Sequence, residues 1–404
     1  MPHTNRWVLL PVLGLLAALT PFAIDMYLPS IPSIARDLDA SIELAQLSIT
    51  VYLAVFAAAQ LLLGPLSDVH GRRRSIGLGL ILFMLGNIAC ALAPSMSLML
   101  LARAVQAVGG AAVAVTIPAL VRDLFERDEY ARVMGMIMLV MGFAPLVAPS
   151  LGGLIILYAN WHWVFVALLL ISLVATLLFF RVVPETLLIE NRHRLHLGDI
   201  FRNYGLLLRH RIALGYLLTG SASFSGMMIF IVASPFVYIE LHGVSASAFG
   251  PLFGINVLAA MLLASVNATL VRRLGSERLL SVGLALQATA AVALLLLSWM
   301  TPQPTLWMIA AVSCVYLGMN GLIFGNAMAG FMAFFPSMAG TASAFAGALR
   351  FGLGAIAGSV VSLLHDGSAM PMLIGMGLCG LLALGIYLMV CWRQADGKQL
   401  VAEE

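Results

Sequence analysis

Apolar stretches of about 20 residues recur from one end of this chain to the other, each long enough to cross a hydrocarbon core of about 30 Å. That repetition constrains the fold more than any single motif. The chain has 404 residues, 62% of them hydrophobic and only 10% charged, whereas an ordinary soluble domain carries roughly a quarter charged residues. A water-soluble chain has no means of burying so much apolar surface. The sequence therefore specifies an all-α integral membrane protein that crosses the bilayer many times.

Twelve spans are predicted. They lie near 7–30, 44–66, 75–93, 97–121, 132–158 and 161–183, and then near 212–238, 247–271, 279–299, 305–330, 340–364 and 370–392. Between the sets, a polar stretch with Glu185, Glu190, Arg192, Arg194, Asp199, Arg202, Arg209 and Arg211 interrupts the pattern. The expected domains are a six-helix bundle over 1–183, a central linker over 184–211, and a second six-helix bundle with a short tail over 212–404. The first run is too long for a secretory signal core and carries Asp25 and prolines, so it reads as a retained span.

Arginine and lysine then orient the chain. Of 21 such residues, Arg36 stands alone on one side, Arg103 and Arg350 fall inside spans, and the rest alternate onto the other side. By the positive-inside rule both termini are expected in the cytoplasm. The net charge of +3 follows from that topology, so no nucleic-acid partner is implied. Cys90, Cys314, Cys379 and Cys391 all sit in apolar runs and read as buried hydrophobes. The eight histidines form no metal-ligand spacing. No phosphate-cradling Gly-x-x-x-x-Gly-Lys loop is present, which argues against ATP drive within the chain. Neither metal nor cofactor is expected.

A faint internal repeat supports the two halves. Leu66-x-Asp68-x-x-Gly71-x-x-Arg74, between spans two and three, has a counterpart 204 residues on at Leu270-x-Arg272-x-x-Gly275-x-x-Arg278. The fuller first loop reads Gly64-Pro-Leu-Ser-Asp68-Val-His-Gly71-Arg72-Arg73-Arg74. Gly71 permits a tight turn, and Asp68 is placed to pair with an arginine such as Arg72 or Arg73, or to cap a helix end. Such a loop can lock the inner face in one state. In the fifth span, Gly142, Pro145, Pro149, Gly152 and Gly153 are spaced for close backbone approach and a kink, which serves either a gate or plain helix packing.

Ionisable residues within spans cost about 2.5–3.5 kcal/mol on insertion scales and mark ion or substrate paths. Asp25 is the one acid of 18 well inside a predicted span. The spans as drawn put Asp25 and Arg103 at similar depth in the outer half, within pairing reach. Burial favours the neutral carboxyl and a nearby guanidinium favours the carboxylate, so movement of Arg103 would swing proton affinity. A static structural pair is the competing reading. Arg350 lies mid-span among glycines with no acid at matching depth in its half, which suits a substrate contact or a structural bond. Asp25 itself, Tyr27, Met227, Phe230, Asn256 and Asn320 are the further substrate-contact candidates, because methionines and aromatics make adaptable pockets. Each also suits helix packing.

Several of these stretches resemble one family. The Gly64–Arg74 loop is similar to the signature loop of the major facilitator superfamily. Arg103-Ala-Val-Gln106-Ala-Val-Gly109 resembles its fourth-span motif, with Ala107 where glycine is common. Gly142-Phe-Ala-Pro145-Leu-Val-Ala-Pro149-Ser-Leu-Gly152-Gly153 resembles the drug/proton antiporter motif, with Ala148 where a glycine is usual. Pro184-Glu185-Thr186 follows the sixth span as it commonly does there. Ile24-Asp25-Met26-Tyr27-Leu28-Pro29, Ser234-Pro235-Phe236-Val237-Tyr238-Ile239-Glu240, and Ala339-Gly340-Thr341-Ala342-Ser343 with Arg350-Phe351-Gly352 resemble the Bcr/CflA bicyclomycin-resistance branch.

The resemblance implies a twelve-helix major facilitator fold in the bacterial inner membrane, functional as a monomer. It implies proton-coupled antiport of bicyclomycin-like drugs, and of chloramphenicol-type drugs or sulfonamides, by alternating access around a midplane cavity. The implied partners are the drug, protons and the lipid bilayer. Asp25 and Arg103 would couple protons, while Gly64, Asp68, Gly71, Arg72, Arg73, Gln106 and the fifth-span glycines and prolines would gate. A carrier of similar fold for a physiological solute such as an amino acid is the alternative. An enzyme would require a nucleophile–base or metal cluster that the sequence does not display.

Overall fold

The computed structural model describes residues 6–186, 197–301 and 303–391. The described residues contain helices and no strand, and twelve helical segments are long and apolar enough to cross a membrane. They run Leu9–Asp37, Ile42–Ser67, Arg72–Ala91, Met96–Leu124, Arg132–Tyr158 and His162–Val182, then Arg211–Leu241, Ala246–Leu274, Ser276–Met300, Leu306–Met332, Ala339–Leu363 and Met370–Cys391. Each corresponds to one predicted span. Agreement is this close because length and hydropathy, which the sequence displays directly, decide whether a segment can span.

The chain divides into two compact units. The first takes the described residues up to Leu197 together with Val244–Pro251, and the second takes Gly198–Gly243 and the described residues from Leu252 onward. Helix starts are set by local chemistry. Ser41 Oγ accepts the amide of Leu44 at 3.4 Å, and His210 Nδ1 accepts that of Ala213 at 3.2 Å. The two repeat-related glycines perform the same backbone task. Gly71 (φ +99°) and Gly275 (φ +78°) each end one span and begin the next in a conformation that L residues with a Cβ disfavour.

Two features differ from the sequence reading. The first span does not stop near residue 30. A helix over Arg6–Asp25 is followed by a turn, a short 3-10 segment over Leu28–Ser30, and a second helix over Ile31–Asp37. Pro29 and Pro32 break the first helix, yet each is tolerated in the first turn of the next because the missing amide has no partner there anyway. Asp25 consequently lies nearer the middle of its span than the predicted boundaries put it. The end of the span is held by Trp161, whose Nε1 donates to Asp37 Oδ2 at 2.9 Å.

The linker is the second difference. Its later part is a helix over Leu197–Arg209 grouped with the second unit. Tyr204 and Leu207, three residues apart and so on one face, are both buried, and the Tyr204 ring lies 5.6 Å from that of Phe345. Glu190, Arg192 and Arg194 lie outside the described residues, as does the side chain of Asp68.

Candidate functional site

In the first unit the polar core is built where the first span breaks. The last carbonyls of any helix lack intrahelical partners and carry the negative end of its dipole. Arg103, fully buried on the fourth span, answers that end. Its Nη1 donates to the Ala23 carbonyl at 2.9 Å and to Gln106 Oε1 at 2.5 Å. Gln106 Nε2 passes the chain on to Asn87 Oδ1 at 2.7 Å, and Asn87 Nδ2 donates to the Phe83 carbonyl at 2.9 Å. The guanidinium also lies over the rings of Tyr27 at 4.8 Å and Tyr52 at 4.5 Å. Tyr27 is anchored in turn by its hydroxyl, which bonds Ser48 Oγ and the Ala45 carbonyl.

Asp25 stands apart from this network. It is 4% exposed, and among the described residues its carboxyl has no hydrogen bond or ion pair. The expected Asp25–Arg103 pair is not formed: Arg103 Nη1 is turned to the Ala23 carbonyl and Gln106, and its buried Nε and Nη2 have no hydrogen-bond partner among the described residues. Matching depth along the helix axes was the basis of that expectation, and depth does not fix which way a side chain turns.

Close packing sets these distances. On the third span, a Cβ placed on Gly86 would stand 2.6 Å from the backbone nitrogen of Gln106, so only glycine lets the fourth span approach this closely. On the fifth span, a Cβ on Gly152 would fall onto the Met26 carbonyl oxygen, and one on Gly153 onto that of Ala246. Gly142 differs: a Cβ there meets nothing within 4 Å. The motif is therefore tight at its Gly152–Gly153 end and loose at Gly142, and the helix runs unbroken through Pro145 and Pro149.

At the arginine-rich end, the Gly71 turn is tied by groups distant in sequence. Glu185 Oε1 accepts the amides of Arg72 at 3.0 Å and Arg73 at 3.4 Å, capping the third span. Arg72 donates to Ser67 Oγ at 2.7 Å and pairs with Asp123 Oδ2 at 3.4 Å, while Arg73 Nη2 reaches the Phe180 carbonyl at 2.8 Å. Thr186 Oγ1 also donates to Asp123, at 3.0 Å. Gly64 faces only the Val115 side chain, 3.2 Å from its virtual Cβ. Asp123 escaped the sequence reading, although an acid directly after Arg122 at a span's end was a usable signal.

The pattern of the Major Facilitator Superfamily matches residues 13–359. The chain belongs to the major facilitator superfamily. A bicyclomycin resistance protein homolog of Haemophilus influenzae is 38% identical over 394 residues, covering 98% of each chain. Multidrug resistance protein D of Escherichia coli is 30% identical, over 95% of this chain and 94% of that one. Among solved structures, the xylose transporter XylE of E. coli in a partially occluded inward-open conformation matches with a TM-score of 0.72. That match runs at 14% identity over 95% of this chain and 97% of the other, a likeness of fold. The protein is thus a multi-pass membrane transporter and not an enzyme.

The superfamily's second half carries a neutral core in this transporter. Asn320 Oδ1 accepts from Ser223 Oγ at 2.6 Å and from Gln287 Nε2 at 3.2 Å, and Gln287 Nε2 also reaches the Tyr316 carbonyl at 3.2 Å. Phe230 is buried between Tyr238 and Phe253, at centroid distances of 5.9 and 5.8 Å. Asn256 is buried and bonds its own helix at the Leu252 carbonyl, 3.5 Å away. Met227 is partly exposed. Arg350 lies over the rings of Phe224 at 5.3 Å and Phe324 at 6.0 Å and lines a pocket within this unit. The sequence reading thus found Asn320 but missed Ser223 and Gln287, since neutral polar residues are scattered through many spans.

Proposed function

We propose that this transporter exports small antibiotics in exchange for protons, by alternating access, as a monomer in the bacterial inner membrane with both termini in the cytoplasm. Bicyclomycin-like drugs are the favoured substrates, with chloramphenicol-type drugs and sulfonamides as further members of the range. The observation that carries the reading is Asp25, a buried acid without a partner among the described residues, set at the break of the first span. Such a group gains a proton when water reaches it from outside and gives it up when water reaches it from inside.

Arg103 keeps a fixed position nearby, its guanidinium held two residues away at the Ala23 carbonyl. Each proton crossing adds about 2.3 kcal/mol per 100 mV of membrane potential to the drive. Met227 and Arg350 contact substrate, whereas Tyr27, Phe230, Asn256 and Asn320, all buried, frame the path. Gly64, Asp68, Gly71, Arg72 and Arg73 gate the inner end. Gln106, Gly142, Pro145, Pro149, Gly152 and Gly153 serve the helix contacts that shift between states.

The test is purified protein in proteoliposomes with an imposed pH gradient, across a panel of antibiotics and amino acids. Drug-dependent proton movement in the wild type, lost in Asp25→Asn while drug exchange without a gradient continues, is the expected result. Uphill drug transport by Asp25→Asn would remove Asp25 from proton coupling. Gradient-driven movement of amino acids but no antibiotic would overturn the substrate class.

A further inference from the structure

Arg103 and Arg350 both lie well inside spans, and of the two only Arg103 hydrogen-bonds protein groups among the described residues. Arg350, near the middle of the span Ala339–Leu363, makes no hydrogen bond or ion pair among the described residues, and its Nε is shielded without a partner. Acids whose side chains are described in the second unit do not serve it. Glu277 takes the hydroxyls of Tyr216 and Tyr387, Asp366 binds Ser368, and Glu240 is exposed at the end of its span.

What surrounds Arg350 is a recess. Tyr216, Gly220, Ser221, Phe324, Met328 and Arg350 line it, and the guanidinium is held over Phe324 and over the adjacent Phe224. Ser221 is 1% exposed, and its hydroxyl, like Arg350 Nε, has no hydrogen-bond partner among the described residues. A buried hydroxyl left unbonded and an uncompensated cation in a span are both costly. Both penalties fall away if one acceptor-bearing ligand occupies the recess.

We propose that this recess, with room for little more than one water-sized group, is a subsite for the head group of an organic anion, a carboxylate or similar monoanion whose aromatic or apolar body extends out of it. Arg350 supplies the charge-assisted donors, Ser221 a second donor, and Phe324 with Met328 the apolar contact for the body. The wall at Gly220 is closely packed, since a Cβ there would stand 3.1 Å from Ala327 Cβ. The inference rests on reading the chain as a solute exporter, but binding at the subsite requires no proton coupling.

The test is equilibrium binding of 2-naphthoate and its neutral isostere 2-naphthamide to the full-length protein in nanodiscs. Wild type is expected to prefer the carboxylate by about tenfold or more, which is about 1.4 kcal/mol. Arg350→Gln should erase the preference, Ser221→Ala should reduce carboxylate affinity several-fold, and Asp25→Asn should leave both intact even if it loses uphill transport. Equal binding of the two probes by wild type, or a preference that survives Arg350→Gln, overturns the subsite. If Arg350→Gln does not fold, Arg350→Lys with Ser221→Ala decides it: an undiminished preference in that double variant overturns the proposal equally.

Discussion

The two six-span units solve the same problem with different chemistry. Each places polar side chains among apolar helices, and each changes winding in its first span, at Asp25 in one and after Pro235 in the other. In the first unit the residue at that change is an acid, and beside it a buried arginine donates through Nη1 to the Ala23 carbonyl and Gln106, while its Nε and Nη2 have no hydrogen-bond partner among the described residues. In the second, Pro235 is the last residue before the change of winding, and the hydrogen-bonded polar cluster is neutral, made of Asn320, Gln287 and Ser223. The second unit's arginine is left for something else. The lesson is that charge in a membrane core is informative chiefly through its partners: among the described residues Arg103 is anchored by two hydrogen bonds and Arg350 by none.

The sharpest way to break the comparison is to remove each arginine in turn. Arg103→Met would strand the Ala23 carbonyl and Gln106 Oε1 and uncover two tyrosine faces. A loss of about 1–3 kcal/mol for each acceptor left unpaired is expected, read as a large drop in the thermal midpoint of detergent-purified protein. Arg350→Met should leave that midpoint nearly unchanged. Equal destabilisation by the two variants would erase the distinction drawn between them.

A smaller effect is expected from packing. Gly152→Ala forces a methyl group against the Met26 carbonyl beside the broken first span, with an expected loss of about 1–3 kcal/mol. Gly142→Ala, with open space around it, should be silent in the same melting assay. Equal behaviour of the two would mean that the motif's glycines share one role. Smallest of all is Ser223→Ala, which removes one of the two donors to Asn320 Oδ1 and should lower stability by about 0.5–1.5 kcal/mol. A loss as large as that of Arg103→Met would show the neutral core to be as tightly coupled as the charged one.

Much of the fold was legible because it depends on quantities that a linear sequence displays. Apolar length located all twelve spans, and the 204-residue offset singled out Gly71 and Gly275, which adopt the same left-handed turn. The candidate site was legible in its members but not in its pairings. Asp25 and Arg103 were found, yet the sequence could not say that Arg103 would spend its donors on the end of a helix. That outcome required the first helix to stop at Asp25, and Pro29 signalled a disturbance without saying where the carbonyls would face. Tyr27 was marked for its position next to Asp25, but its ring is covered by Arg103 and its hydroxyl is tied to Ser48. The clamp at the Gly71 turn was half visible. Glu185 stood within a quoted motif, while Asp123 joins it only through folding that brings residues far apart in the chain together.

The guanidinium held between Tyr27 and Tyr52 has an optical consequence. A planar cation between two phenol rings fixes their orientation and polarises their transitions, so the pair forms a built-in gauge of the first unit's state. If Arg103 stays put through the transport cycle, the near-ultraviolet tyrosine signal stays constant while drug and proton pass. If it withdraws at any step, both rings lose their shared cover at once, and that step becomes visible without any attached label.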